Sequence, residues 1–268
     1  MAETNIHPTA IVEDGATVAD GVSIGPFSVV GRDVTLGEGV VLHSHAVVAG
    51  RTTIGARTEI FPFASIGHKP QDLKYKGEAS TLTIGTDCMI REGVTINPGT
   101  EGGGMTTTVG NGCAFLANSH VGHDCHVGNN VIFSNNVMLA GHVEVGDFAI
   151  LGGGAAVIQF ARVGDHAFLG GMSGLEQDLI PYGMALGNRA YLSGLNIVGL
   201  KRRGFSASQI HDLRRAYRLL FAEEGTLLER VDDVADEFRD HPTVMEIIAF
   251  IRAGGKRSMC TPKNAADA

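Results

Sequence analysis

Residues 6–42 read IHPTAIVEDGATVADGVSIGPFSVVGRDVTLGEGVVL, and every sixth residue among them is aliphatic: Ile6, Val12, Val18, Ile24, Val30, Leu36 and Leu42. The spacing continues through Val48, Ile54, Ile60 and Ile66, breaks at Asp72 and Glu78, and returns in phase at Ile84, Ile90 and Ile96. It then slips by one residue and runs from Val109 through Phe115, Val121, Val127, Phe133, Leu139, Val145, Leu151, Val157, Val163 and Leu169 to Leu175. A helix repeats every 3.6 residues and a half-buried strand every two, so neither produces a period of six. A three-sided prism does. Each hexad makes one short strand and one turn, three hexads close a coil, and the apolar residue of each points to the axis. About nine such coils at ~4.8 Å spacing would form a rod roughly 40–45 Å long.

The other hexad positions support this reading. The residue after the apolar one is often Gly (Gly25, Gly31, Gly55, Gly85, Gly110, Gly128, Gly146), which suits a corner where a positive φ is needed. Four residues after the apolar one stands a small residue, such as Ala46, Ala64, Ala149 or Ala155. Cys88, Cys113 and Cys125 fall in that slot and read as small buried hydrophobes. The four cysteines lack C-x-x-C spacing, and the N-terminus MAETNIHPTA has no basic start followed by an apolar core. No apolar run approaches the ~18 residues of a membrane span. A cytoplasmic protein without a transmembrane segment is expected. The net charge of −8 speaks against nucleic-acid binding by the molecule as a whole.

Two segments leave the repeat, residues 68–80 (HKPQDLKYKGEAS) and residues 98–108 (PGTEGGGMTTT). Gln71, Asp72 and Lys74 gather three polar groups in the first and mark it as functional. After about residue 188 the pattern becomes helical. Ser206–Gln209 and Thr226–Glu229 are capping boxes, and Pro242 opens a further helix that Gly254-Gly255 ends. The expected division is a β-helix over 1–187 and a helical domain over 188–268, frayed from Lys256 onward. Segment 200–218 carries six basic residues against one acidic, and Lys201-Arg202-Arg203 suits a phosphate or an acidic partner.

The stretch NSHVGHDCHVG, residues 118–128, carries His120, His123 and His126 at intervals of three. His120 and His126 precede apolar positions on consecutive faces, and His123 lies on the outside between them, so one metal ion could not easily take all three. A coil of eighteen residues stacks Asp124 with His142 and His123 with Gly141. Outward His, Asp and Gly, with Gln159 further along, outline a groove. A His in such a groove is the natural general base near neutral pH.

The chain strongly resembles the UDP-N-acetylglucosamine O-acyltransferases of lipid A biosynthesis. The resemblance is carried by IHPTAIV (6–12), IGPF (24–27), QDLKY (71–75), VGHDC (121–125), LAGHV (139–143), GNR (187–189) and GLKRRGFS (199–206). It implies a left-handed parallel β-helix with a C-terminal helical domain, assembled as a homotrimer with active sites between subunits. It implies transfer of an R-3-hydroxyacyl chain from acyl carrier protein to the 3-hydroxyl of the UDP-sugar, with no cofactor and no metal. On the matching positions, His123 is the general base, Asp124 its supporting carboxylate, and Gly141 the backbone N–H that stabilises the oxyanion. Gln71, Asp72, Lys74, His120, His142 and Gln159 are implied substrate contacts. Asn196, Arg202 and Arg203 fall on the nucleotide side, and Gly171 at the position limiting acyl length. His126 reads as a bystander.

Four positions depart from the family pattern: Asn97, Ile158, Arg189 and Val198. They leave open whether the sugar is UDP-N-acetylglucosamine or its 3-amino analogue, which would form an amide. The related N-acyltransferases carry a uridine-binding domain before the β-helix, and hexads beginning at Ile6 argue against that reading. A γ-class carbonic anhydrase, also a trimeric left-handed β-helix, needs histidines five apart for zinc, whereas these stand three and six apart.

Overall fold

The fold is described from a computed structural model for residues 3–263. Two-residue strands, a few of them longer, follow one another at six-residue intervals and stack in parallel into three sheets of eleven, nine and eight strands. These sheets are the faces A, B and C of the prism. On face A, Ile24 stacks on Leu42 and Ile60 on Ile90; on face B, Val121 stacks on Leu139; on face C, Val127 stacks on Val145. The stacked aliphatic residues are 0–4 % exposed from Ile24 to Leu175 and form one continuous core. The fold is the left-handed parallel β-helix expected, and Cys88, Cys113 and Cys125 lie buried within it as free thiols.

The two excursions explain the phase of the repeat. An uninterrupted coil is eighteen residues, but Ile66 stacks on Ile96 thirty residues later, and Ile96 on Val121 twenty-five later. The first insertion therefore adds twelve residues, two whole hexads, and leaves the phase unchanged. The second adds seven and shifts it by one. The second excursion is shorter than its composition suggests. Thr106–Val109 is a strand paired with Thr81–Ile84, so Thr106, Thr107 and Thr108 belong to face C and not to the loop.

The glycines after the apolar positions have a different cause from the one expected. Of that set only Gly67 has a left-handed φ. The left-handed residue is the third past the apolar one and is often not Gly: Arg57, Asp87, Asn118, Asp124, Asn130, Asn136 and His142 all have φ between +55° and +62°. Asn and Asp tolerate that conformation best among side-chain-bearing residues. At most of these positions, though not at Gly31, the glycine is required instead by the neighbouring coil. A Cβ on Gly55 would lie 2.5 Å from the Gly85 carbonyl carbon, and one on Gly110 would lie 2.6 Å from the Gly128 oxygen.

The top of the prism is closed by elements the repeat does not foretell. Gly183–Leu186 and Tyr191–Leu195 form an antiparallel hairpin that ends face A, so the expected boundary at 187 falls in its turn. Helices then follow at Ile197–Arg202 (α1), Ala207–Leu220 (α2), Leu227–Glu237 (α3) and Pro242–Ala253 (α4). Both capping boxes form, at Ser206 and at Thr226. Residues 256–263 do not fray. Met259 bridges to Asp178, Cys260 is fully buried, and the Leu192 N–H donates to the Thr261 carbonyl at 3.0 Å. Residues 264–268 lie outside the described region. No helix of the described residues is long and apolar enough to cross a membrane.

Because the atoms facing Gly55 are backbone, they cannot swing aside. Gly55→Ala is expected to lower the unfolding free energy by roughly 1–3 kcal/mol, the usual range for overpacking, read as a lower urea midpoint with an unchanged m-value. A Gly55→Ala protein as stable as the parent would show that the coils are not in such close contact.

Candidate active site

The corner between faces B and C collects chemistry in consecutive coils. The first loop leaves there after Ile66 and the second after Ile96; the next coils bring His123-Asp124, then Gly141-His142, then Gln159-Phe160. At the centre is Asp124, which is 2 % exposed and has φ +57°. Its carboxylate accepts from the Thr100 N–H at 2.8 Å and the Thr100 hydroxyl at 2.6 Å, and meets His123 Nδ1 at 2.8 Å. Its own N–H donates to Thr107 Oγ1 at 2.8 Å. A bare buried carboxylate is costly, and the Thr100 donors and His123 offset its loss of water.

The second loop is shaped to deliver Thr100. A single 3-10 turn at Glu101–Gly103 folds back, and the Met105 N–H donates to the Thr100 carbonyl at 2.9 Å. A Cβ on Gly103 would stand 2.0 Å from the Asp124 carboxyl carbon, so the turn can close over that side chain only with Gly there. The run of glycines at 102–104 and the phase slip are the sequence signals for this loop. They did not reveal Thr100, Gly103 and Thr107 as the groups that hold Asp124.

His123 engages Asp124 through Nδ1, which leaves Nε2 directed away from the carboxylate, and its side chain is 18 % exposed. Its ring occupies the space above Gly141, where a Cβ would lie 2.5 Å from His123 Cε1. No acceptor among the described residues takes the Gly141 N–H. His142 stands edge-on to His123, with ring centroids 5.0 Å apart at 87°, and stacks on Phe160 at 4.4 Å and 13°. Burial pushes the His142 pKa down, against an upward pull from the Asp124 charge. Asp72 also acts on His142, which brings the first loop to this corner. Within that loop the Lys74 N–H donates to Asp72 Oδ1 at 2.9 Å; Gln71 and Lys74 are exposed, and the intervening Leu73 is wholly in solvent.

His120 lies one strand away on face B, its Nδ1 2.7 Å from Thr95 Oγ1. Burial, and then the neighbouring His123, push its pKa down. His126 is exposed on face C, 2.9 Å from Thr108 Oγ1. Gln159 is exposed, and its backbone carbonyl accepts from Arg257 Nε at 3.0 Å.

The remaining expected site residues sit on other corners. Phe148, His166 and Tyr182 stack at the C–A corner. Arg203 donates there to the Phe148 carbonyl at 2.7 Å, and its buried Nη1 has no partner among the described residues. Burial lowers the pKa of this guanidinium. Asn196 caps α1 by accepting the Gly199 N–H at 3.1 Å and donates to the His166 carbonyl at 2.9 Å. Arg202 is exposed beside Val198 in the groove these residues line. Gly171 is exposed at the A–B corner. One chain thus joins His123, Asp124, Gly141, His142, Gln159 and the Asp72 loop, but leaves the basic cluster and Gly171 apart from them.

Residues 178–260 match the family model described as UDP N-acetylglucosamine O-acyltransferase, domain 2, and residues 106–141 match that of bacterial transferase hexapeptide repeats. An acyl-[acyl-carrier-protein]–UDP-N-acetylglucosamine O-acyltransferase of Methylobacterium radiotolerans is 73 % identical over 98 % of this chain and 97 % of its own. The chain belongs to the UDP-N-acetylglucosamine O-acyltransferase family. The Brucella ovis relative of the same name is 50 % identical over 98 % of this chain and 94 % of its own. Among solved structures, the UDP-N-acetylglucosamine acyltransferase of Francisella novicida superposes with a TM-score of 0.94 at 34 % identity, covering 97 % of this chain and 95 % of that one. LpxA from Acinetobacter baumannii gives 0.92 at 41 %, covering 95 % and 98 %.

In this member of the family, Asn97 is buried and donates to the His68 carbonyl at 3.1 Å, so it ties down the start of the first loop. Ile158 packs against the core, Val198 is 62 % exposed, and Arg189 is exposed. Gly141→Ala would meet the movable His123 ring rather than backbone, so the ring would yield while the fold stayed intact. The acyl-transfer rate is expected to fall at least about tenfold, with thermal stability close to the parent's, because small displacements of a reacting group cost that much or more. Full activity in Gly141→Ala would show that the His123 ring does not depend on the space above Gly141.

Proposed function

We propose that this chain transfers an R-3-hydroxyacyl group from acyl carrier protein to the 3-hydroxyl of UDP-N-acetylglucosamine, the first step of lipid A biosynthesis, with His123 as general base. The observation that carries this is the pairing of His123 Nδ1 with buried Asp124, which leaves Nε2 available beside the Gly141 N–H, which no acceptor among the described residues takes. A sugar hydroxyl is a weak nucleophile. His123 Nε2 takes its proton as the oxygen attacks the thioester carbonyl, a contribution of ~10²–10⁴ in rate. The carbonyl oxygen gains negative charge and accepts the Gly141 N–H; a fixed donor of this kind is worth ~10²–10³. Collapse breaks the carbon–sulfur bond, and the departing thiolate recovers the proton from His123. Asp124 stays ionised throughout, holding the ring and stabilising its charged form.

Gln71, Asp72, Lys74, His120, His142 and Gln159 are substrate contacts in this proposal. Arg202, Arg203 and Asn196 serve the nucleotide, and Gly171 leaves room for a long acyl chain. The distribution of these residues over different corners supports a homotrimer. A diphosphate bound by Arg203 and a sugar bound at His123 then meet where the C–A corner of one subunit faces the B–C corner of another. The zinc alternative is weakened by the donor set. His123, Asp124 and His142 offer atoms within 4.8 Å of one another, but Thr100 and His123 already occupy the Asp124 carboxylate.

Single-turnover transfer with purified protein, acyl carrier protein thioesters and both UDP-sugars tests the proposal. His123→Ala is expected to lose at least a hundredfold in rate while the oligomer, followed by sedimentation, is retained. The hydroxyl sugar is expected to be the better acceptor. A His123→Ala protein near parental speed would remove His123 as the base, and a preference for the amino sugar would change the product to an amide.

A further inference from the structure

The segment after α4 returns to the B–C corner and passes over the end of the proposed site. It is held there firmly. Arg257 Nε donates to the Gln159 carbonyl at 3.0 Å, the Asp178 N–H to the Ser258 carbonyl at 2.8 Å, and the Cys260 N–H to the Asp178 carbonyl at 2.8 Å. Asp178 is fully buried and paired with Arg162 at 2.7 Å. A Cβ on Gly255 would lie 2.4 Å from Asp178 Oδ2, so the chain can pass this close only with Gly at that position. The next residue, Lys256, sets its ammonium 4.0 Å from the centroid of the Phe160 ring. The other side of the sequence of contacts leads inward, from Phe160 to His142 at 4.4 Å and from His142 to His123 at 5.0 Å.

We propose that Lys256 is a positioning residue of the acyl transfer, acting through Phe160 and His142 so that His123 is the one imidazole of the site that takes up the proton. This inference rests on the function proposed above. His142 Nδ1 is 3.9 Å from Asp124 Oδ2, so two imidazoles compete for one carboxylate. Protonation of His142 would place a cation edge-on to His123, share the Asp124 charge and repel the proton that His123 has to accept. The charges acting on His142 oppose one another. Asp124 and Asp72 favour its protonated form, while His123 and Lys256 disfavour it, in addition to burial. His126, Glu144 and Arg162 line the same cleft. Lys256 is the lysine among these groups, and the Phe160 face holds its ammonium by a cation–π contact. The ring stack therefore fixes the distance at which the positive charge acts on His142.

The test pairs a substrate-free readout with a kinetic one, in the full-length protein. The His142 ring is titrated by NMR in the parent, K256M and K256R, and kcat/KM is measured against pH at constant ionic strength. Removing a cation makes the imidazolium easier to form, so the His142 midpoint in K256M is expected to rise by roughly half a unit, the scale of one charge acting through partly screened space. The acid limb of kcat/KM should move up by a similar amount, with rates converging at alkaline pH, and K256R should restore both. An unchanged His142 midpoint in K256M overturns the proposal. So does a higher KM at every pH without movement of the limb, which would make Lys256 a substrate contact. A parent protein without acyl transfer would refute the function proposed above, whereas the His142 titration would still decide the role of Lys256.

Discussion

The hydrogen bonds from one coil to the next, such as Gly122 N–H to the Leu139 carbonyl at 3.1 Å and His142 N–H to the His123 carbonyl at 2.9 Å, give each residue a set vertical neighbour. Residue 123 must then lie against 141, and 124 against 142. Neighbouring strands are separated by only ~4.8 Å, so side chains stacked at one corner compete for the same space. A ring at 123 requires an absent side chain at 141. The left-handed backbone at 124 sets the Asp124 carboxylate at the corner, and the second loop closes over it and shuts out water. The catalytic geometry proposed for this molecule is thus a local solution to a stacking problem that recurs in every coil.

That solution is completed by insertions. Both loops leave at the corner that bears His123, in the two coils directly before it, and the second returns Thr100 to the carboxylate. The rigid ladder supplies precision and the loops supply polar groups that a hexad cannot offer. Above the site, the segment 254–263 extends the same corner with Lys256 and Arg257. The basic cluster and Gly171 occupy the other two corners, and no bend of a stacked prism can bring three corners together. In the homotrimer proposed above, neighbouring copies would do so.

The coil and most of its contents were legible in the sequence because period six has one simple structural solution. The aliphatic positions, the cysteine slots, the stacking of 123 on 141 and the two capping boxes all follow from counting. The reason for the glycines was not legible. A glycine required by a neighbouring backbone and one required by a positive φ look alike in a sequence, and the left-handed positions are filled here by Asp124, His142 and several asparagines. Thr100 and Gly103 were hidden because a loop's contacts depend on its conformation rather than its period. The hairpin at 183–195 and the ordered segment 256–263 carry no six-residue repeat, and their order comes from docking on the completed prism.

In the proposed mechanism Asp124 holds the proton of His123 on Nδ1 and leaves Nε2 free to accept one from a substrate. Long-range proton–nitrogen correlation on the 15N-histidine-labelled protein reads this directly. The His123 ring is expected in the Nδ1–H tautomer, with its Nδ1 proton shifted downfield by the carboxylate and an Nε2 resonance typical of an unprotonated nitrogen. A resting His123 protonated on Nε2 would contradict it, because the nitrogen facing the groove would then have no lone pair for the reaction.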